Sequence, residues 1–260
     1  MKYGIRNRSL AVDWEEAVSS AADIGYDGLE IIVGSEEELE QLFGNRGEAL
    51  KDRAREAGIE ICSLSVGCFR AHNFAIPDVD MDESVAFVER SLSACSLMGG
   101  DVILLPHFEP ENIDLDPRGE EAYIRGLSRC TSAASRNSVF LGLETSFSWR
   151  QLRRILDAVD SEMAGVYQDL ANAIFYGHDP FAMLDHLGEE IVMIHIKELE
   201  GDLLGEGEME WGRCFEAIDG ISYDGWLVME TKPTDDPIRA AEENLKFTRA
   251  GVEEARHSGG

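Results

Sequence analysis

Four side chains in the second half of the chain have the chemistry to share one metal ion, and they recur in one context. Glu144 closes the run LGLE, Asp169 closes VYQD, His195 lies in MIHIKE and Glu230 closes LVME. Each stands where a short apolar run ends, the position at which a buried strand would deliver a polar side chain. Taken singly, such a glutamate is ordinarily solvated and such a histidine is ordinarily a hydrogen-bonded core residue. Taken together they form an oxygen-rich set of three carboxylates and one imidazole without a thiolate. That set suits Mn²⁺, Mg²⁺ or Co²⁺ better than a structural zinc. One divalent ion per chain is expected, Mn²⁺ first among these, because ionised carboxylates brought together away from water need a shared counter-charge.

The elements that must position these residues alternate along the whole chain. Apolar runs at 2–6, 28–33, 59–66, 101–106, 139–144, 165–169, 191–196 and 225–230 predict eight strands. Their near-continuous Val, Ile and Leu content suits strands covered on both faces. Helical signals lie between them. Asp13 caps an apolar stripe of Trp14, Ala17, Val18, Ala21 and Ile24 that Gly25 ends, and Ser148 with Gln151 forms a second capping box. Asp179-Pro180 and Asp236-Pro237 each place a capping residue before a proline at the first helical position. Eight strand–helix units in 260 residues predict a single (β/α)₈ barrel over 1–260, with 255–260 as a flexible tail. An open doubly wound sheet would show a Gly-rich phosphate loop after an early strand, which is missing. In a barrel, the C-terminal ends of the strands form the active face, so Glu144, Asp169, His195 and Glu230 fall on it from four consecutive strands.

Composition narrows the partners. Asp and Glu number 51 against 23 Lys and Arg, a net charge of −28. Such a surface opposes binding to nucleic acid or an anionic membrane. The acidic excess runs along the whole chain, which reads as a surface adapted to high salt. No apolar stretch reaches the ~18 residues of a membrane span. The segment MKYGIRNRSL lacks the core of a signal peptide, so a cytoplasmic protein is expected. Five scattered cysteines, Cys62, Cys68, Cys95, Cys130 and Cys214, point to reduced thiols rather than a disulfide framework.

The order Glu, Asp, His, Glu on the last four strands resembles the sugar isomerase/epimerase superfamily with the xylose-isomerase-like barrel. The segment 195–231 is similar to that family's end, with its Gly-Glu-Gly turn leading to Trp211 and its YDGW before the last strand. GYDGLEI at 25–31 and DLANAIFYGHDP at 169–180 also resemble it. The resemblance implies a carbohydrate substrate whose carbonyl and adjacent hydroxyl sit on the metal, with proton transfer through an ene-diolate. It implies that Glu144 and Glu230 remove and return the proton while touching the metal. Return to the opposite face gives epimerisation, and return to the neighbouring carbon gives aldose–ketose isomerisation. Relatives are commonly dimers or tetramers, so a homo-oligomer is expected.

Further candidates for substrate contact are Glu30, Arg70, His72, His107, Asn172, Lys197 and Lys232. Strand alternation carries Lys197 to the same side as His195 and Lys232 to the same side as Glu230. Both lysines are candidate anchors for a phosphate or carboxylate. Arg70 and His72 lie in a segment, 67–81, long enough to act as a lid. Free-ketohexose 3-epimerases often carry a histidine three after the sixth-strand aspartate and an arginine soon after the seventh-strand histidine. Here those places hold Asn172 and Glu198-Leu199-Glu200. The Arg-x-Glu-Pro element of hydroxypyruvate isomerases is also missing. YDGWLVMET resembles inosose dehydratases, which makes a metal-dependent lyase the nearest alternative. An apurinic endonuclease would need more strand-end histidines and a less acidic surface. A barrel that only binds a ligand would not require the four-residue set.

Overall fold

A computed structural model describes residues 1–108 and 115–258. Eight parallel strands close into a barrel in sequence order. They are β1 (Lys2–Arg6), β2 (Gly28–Val33), β3 (Glu60–Val66), β4 (Val102–His107), β5 (Phe140–Thr145), β6 (Ala164–Asp169), β7 (Ile191–Ile196) and β8 (Trp226–Met229). β1 pairs with β8 through Lys2↔Trp226 to Ile5↔Met229, which completes the closure. The helices are α1 (Trp14–Ile24), α2 (Glu36–Gln41), α3 (Asn45–Ala57), α4 (Met81–Met98), α5 (Pro117–Asn137), α6 (Trp149–Val159), α7 (Leu170–Phe175), α8 (Pro180–Leu187), α9 (Trp211–Gly220) and α10 (Pro237–Ser258). Short 3₁₀ turns at Asn7–Leu10 and Gly67–Ala71 follow β1 and β3.

The capping residues act as their chemistry dictates. Asp13 accepts a hydrogen bond from Glu16 N at 2.9 Å, and Gly25 ends α1 at a φ of 99°. Ser148 accepts from Gln151 N at 3.3 Å. The Gln151 side chain does not complete a capping box. It is buried and ties Leu115 N and O at 2.7 and 3.0 Å, joining α6 to the start of α5. α10 runs on through Ser258 with Ala255 buried, so residues 255–258 of the expected tail are helical, while 259–260 lie outside the described residues.

Two packed regions hold the fold. The larger lies between the barrel and its helices, with Leu29, Leu64, Ile103, Leu141 and Ile194 facing outward onto it. The smaller gathers Val102, Leu104, Tyr167, Met193, Trp226 and Val228 from alternate strand positions, filling the barrel interior. Gly28 has no side chain because Trp226 crosses that position; a Cβ there would lie 2.6 Å from the indole. Above this packed floor the strand ends open into a cavity of about 760 Å³. Among the described residues, no helix is long and apolar enough to cross a membrane.

Candidate metal centre

Strand alternation on the inner face lifts Glu144, Asp169 and His195 above the packed interior, and Glu230 follows β8 directly. One ligand atom from each of the four can be chosen so that all lie within 4.8 Å of one another. His195 is fully buried. Its Nδ1 lies 3.2 Å from Glu144 Oε1 and 2.7 Å from Glu230 Oε2. The Glu230 contact lacks hydrogen-bond geometry: Oε2 is buried without a hydrogen-bond partner, as is Asp169 Oδ2. Asp169 Oδ1, by contrast, caps α7 by accepting from Asn172 N at 2.7 Å. Buried acceptor atoms that converge without donors are what a bound cation satisfies. The four residues therefore fit a divalent ion.

The opposite ring nitrogen of His195 explains Glu30. Glu30 is fully buried below the cavity and lies 3.1 Å from His195 Nε2. It also accepts from Tyr167 Oη at 2.6 Å and Ser63 Oγ at 2.7 Å. Glu30 thus packs as a support for His195 and does not line the cavity: the pleat sets the face, but β2 places it deeper than the four candidate ligands. Burial opposes charge on the His195 ring, yet Glu30 and then Glu230 outweigh it and hold its pKa well above the ordinary imidazole value. Burial pushes Asp169 up to about 7 despite Lys197, with Glu230 and Glu144 adding to the rise. Glu230 is held low against burial, chiefly by His195 and then Arg6.

Two cations balance the carboxylates. Arg6, at the end of β1, forms an ion pair with Glu230. Lys197 Nζ donates to Asn172 Oδ1 at 3.0 Å and lies 3.5 Å from Glu230 Oε1 and 3.6 Å from Asp169 Oδ2. Asn172 also donates through Nδ2 to Glu144 Oε1 at 3.1 Å, so it bridges the acid and the lysine. Arg6, Glu144, Asn172, Lys197 and Glu230 all line the cavity.

The remaining candidates divide. Arg70 lines the cavity, its guanidinium 6.0 Å from the Phe108 ring centroid. His72 turns away: its ring stacks on Phe87 at 4.1 Å and meets Glu36 at 3.0 Å. His107 is buried against Tyr123 and Phe147 and meets Asn73 Nδ2 at 2.5 Å, outside the cavity wall. Burial lowers its pKa to about 4. Lys232 is exposed and off the wall, because β8 ends at Met229 and alternation does not carry to residue 232. Residues 67–81 are pinned by buried Phe69 and Phe74, whose rings pack edge to face at 5.3 Å.

Sequence reasoning missed Arg6 and the role of Glu198. Arg6 could have been found by extending inward alternation to the end of β1. Glu198 is buried and accepts from Leu199 N, Gly205 N, Met209 N and Trp211 Nε1 at 2.8–3.1 Å. One carboxylate thereby organises the loop between β7 and α9. Gly207 is required there, since a Cβ would fall 1.8 Å from Glu200 O and 2.5 Å from Glu198 Oε1.

Comparison with known proteins agrees with this architecture. The family model described as xylose isomerase-like TIM barrel matches residues 18–251. An L-ribulose-5-phosphate 3-epimerase, UlaE, of Shigella flexneri is 23% identical, covering 97% of this chain and 97% of its own. An inosose dehydratase of Geobacillus kaustophilus is 19% identical over 84% of this chain and 80% of its own. The crystal structure of a D-allulose 3-epimerase from Methylomonas sp. superposes with a TM-score of 0.82 at 17% identity, covering 96% of each chain. Likeness at that identity is likeness of fold.

Proposed function

This chain belongs to the xylose isomerase-like TIM barrel family, and from that premise we propose that it is a divalent-metal-dependent epimerase or isomerase of ketoses or ketose phosphates. The observation that carries the reading is the convergence of Glu144, Asp169, His195 and Glu230 at the floor of a cavity of sugar-binding size. These four residues would hold the ion. When bound, the ion supplies Lewis-acid polarisation of a substrate carbonyl. Glu144 and Glu230 come from β5 and from the end of β8, so they approach a substrate from different sides. One carboxylate takes the proton from the carbon beside the carbonyl as that C–H bond breaks, and the electron pair moves to the carbonyl oxygen. The other returns a proton. Arg6 fixes Glu230 and Asn172 fixes Glu144, which keeps both bases in place between turnovers.

The finer assignments belong to the same proposal. Mn²⁺ is the expected ion, the surroundings are the cytoplasm, and the protein is a dimer or tetramer of this chain. The charge of −28 is read as adaptation to high salt. Unfolding should then shift to higher temperature between low salt and molar KCl, as screening relieves self-repulsion.

The test is metal content in molar salt, measured on the native chain and on Glu230→Gln and His195→Ala. One divalent ion per chain, lost or weakened in both variants, supports the reading; no bound ion and no stabilisation by added metal would remove it. Ketoses, ketose phosphates and inososes would then be screened for proton exchange in deuterated solvent. The inosose dehydratase relative makes water elimination the second reading. Loss of water from an inosose, without exchange into any ketose, would replace the first.

A further inference from the structure

The four candidate ligands come from β5 to β8, but the cavity extends across the mouth to the loops after β1, β2 and β3. On that far side its wall includes Arg8, Gly34, Gly67 and Arg70. We propose that Arg8 and Arg70 form a subsite for a terminal phosphate monoester of the substrate, at the end of the molecule remote from the carbonyl. The proposal rests on the ketose reading above and names its substrate class.

Both arginines are presented by anchored turns. In Asn7–Leu10, the side chains of Asn7, Ser9 and Leu10 are buried and Arg8 alone is exposed. Asn7 Oδ1 accepts from Ile32 N at 2.9 Å, and Ser9 Oγ donates to Thr231 O at 2.8 Å. The backbone of Arg8 is therefore fixed on both sides while its guanidinium reaches the cavity. In Gly67–Ala71, Phe69 is fully buried and the next residue, Arg70, turns to the wall. Val33 pairs with Val66, so the turns after β2 and β3 leave the barrel side by side. A Cβ at Gly34 would lie 3.3 Å from the Arg8 guanidinium.

The charge pattern separates these two arginines from the cations of the metal centre. Arg6 and Lys197 are engaged by Glu230 and Asp169. Among the described residues, neither Arg8 nor Arg70 forms an ion pair, although acids outnumber bases 51 to 23 in the chain. Two guanidinium groups from separate turns match a dianion that offers three oxygens. A ketose with its carbonyl end among the β5–β8 carboxylates would extend its last carbon toward β1–β3. The carboxylates at one end and the arginines at the other orient the substrate in one direction only.

Arginine modification by phenylglyoxal, mapped by mass spectrometry on metal-loaded protein, tests this directly. L-ribulose 5-phosphate should slow modification of Arg8 and Arg70 at least about tenfold. L-ribulose should not, and Arg55, exposed on α3, should react at one rate throughout. In Arg8→Gln and Arg70→Gln, L-ribulose 5-phosphate should bind roughly ten- to hundredfold more weakly. L-ribulose binding should weaken far less than binding of the phosphate ester, and metal stoichiometry should match that of the native chain. No protection by the phosphate ester, or equal protection by the free sugar, overturns the subsite even when metal is bound. Protection that persists in a chain unable to hold metal would keep the subsite and remove the ketose reading instead.

Discussion

Replacing Glu30 with glutamine should weaken divalent-metal binding ten- to a hundredfold while leaving the barrel folded. With a cation on Nδ1 of His195, the side that faces Glu144 and Glu230, the ring proton is left on Nε2 and points to Glu30 at 3.1 Å. A carboxylate there fixes the tautomer, orients the ring and makes Nδ1 a better donor to a cation. Glutamine keeps the shape but offers only one acceptor oxygen. If that oxygen serves His195, the amide nitrogen faces the hydroxyls of Tyr167 and Ser63, which can rotate to accept from it. The ring then stays in place without its anionic partner. Loss of such a supporting group typically costs 10- to 100-fold in metal affinity, about 1.4–2.7 kcal/mol. Competition with a chelator for Mn²⁺ measures the affinity, and thermal unfolding with and without metal measures the same loss through linkage. A tenfold weaker site should cut metal-induced stabilisation by about 1.4 kcal/mol at saturating metal. Should Glu30→Gln fail to fold, Tyr167→Phe and Ser63→Ala each remove one donor from the carboxylate and should weaken binding severalfold. Unchanged Mn²⁺ affinity in a folded Glu30→Gln protein would refute the role of Glu30 as the orienting partner.

Other perturbations follow from the same contacts. Lys197→Gln should tighten divalent binding by removing a competing cation beside Asp169 and Glu230, whereas Glu230→Gln weakens it; calorimetric titration that gave both the same sign would contradict the shared site. His107 is buried neutral, with its pKa lowered to about 4 from an ordinary 6.5. The unfolded chain therefore binds its proton first, so stability is full above pH 6.5 and falls by about 3 kcal/mol as pH drops to 4. In urea unfolding across that range, His107→Gln should show a correspondingly flatter pH dependence. Glu198→Ala strands buried donors around the loop after β7, and Gly207→Ala drives a Cβ into backbone. Each should cost about 3 kcal/mol or more and expose residues 198–210 to limited proteolysis.

The barrel was legible because buried parallel strands need continuous apolar runs, and each observed strand begins or ends within a residue of its run. The four candidate ligands were legible for a related reason: a polar residue closing such a run can only lie at the barrel mouth. Depth was not legible. Glu30, His107 and Lys197 carry similar signals, yet the first lies below the cavity, the second behind its wall and the third on it. The register shift between Leu29 and Glu30 in the β2–β3 pair is one local cause, since it offsets the level of β2 from that of its neighbour. Lys232 lies off the wall for a different reason, because a period of two has meaning only while the strand continues and β8 ends at Met229. Glu198 looked like a departure from relatives at a substrate-binding place. Its work is in the loop, and the nearby Gly205, Gly207 and Trp211 were the signal that it had backbone to hold.

The balance of charge at the mouth gives the site its internal logic. Glu30, Glu144, Asp169 and Glu230 bring four negative charges into one largely buried cluster, and Arg6 and Lys197 return two positive ones. With His195 neutral at its metal-facing nitrogen, the cluster has a formal charge of −2, which one divalent cation cancels. Without that cation the same residues settle by other means: His195 is driven toward its charged form and Asp169 toward its protonated form. Both adjustments cost free energy in a buried setting, and a bound divalent ion would reverse both. Metal uptake should therefore release protons from both His195 and Asp169 while leaving the arginines untouched. Arg6 and Lys197 are paired with the candidate ligands, whereas Arg8 and Arg70 across the cavity form no ion pair among the described residues. The first pair offsets two of the four carboxylate charges, and the second lines the opposite side of the same cavity.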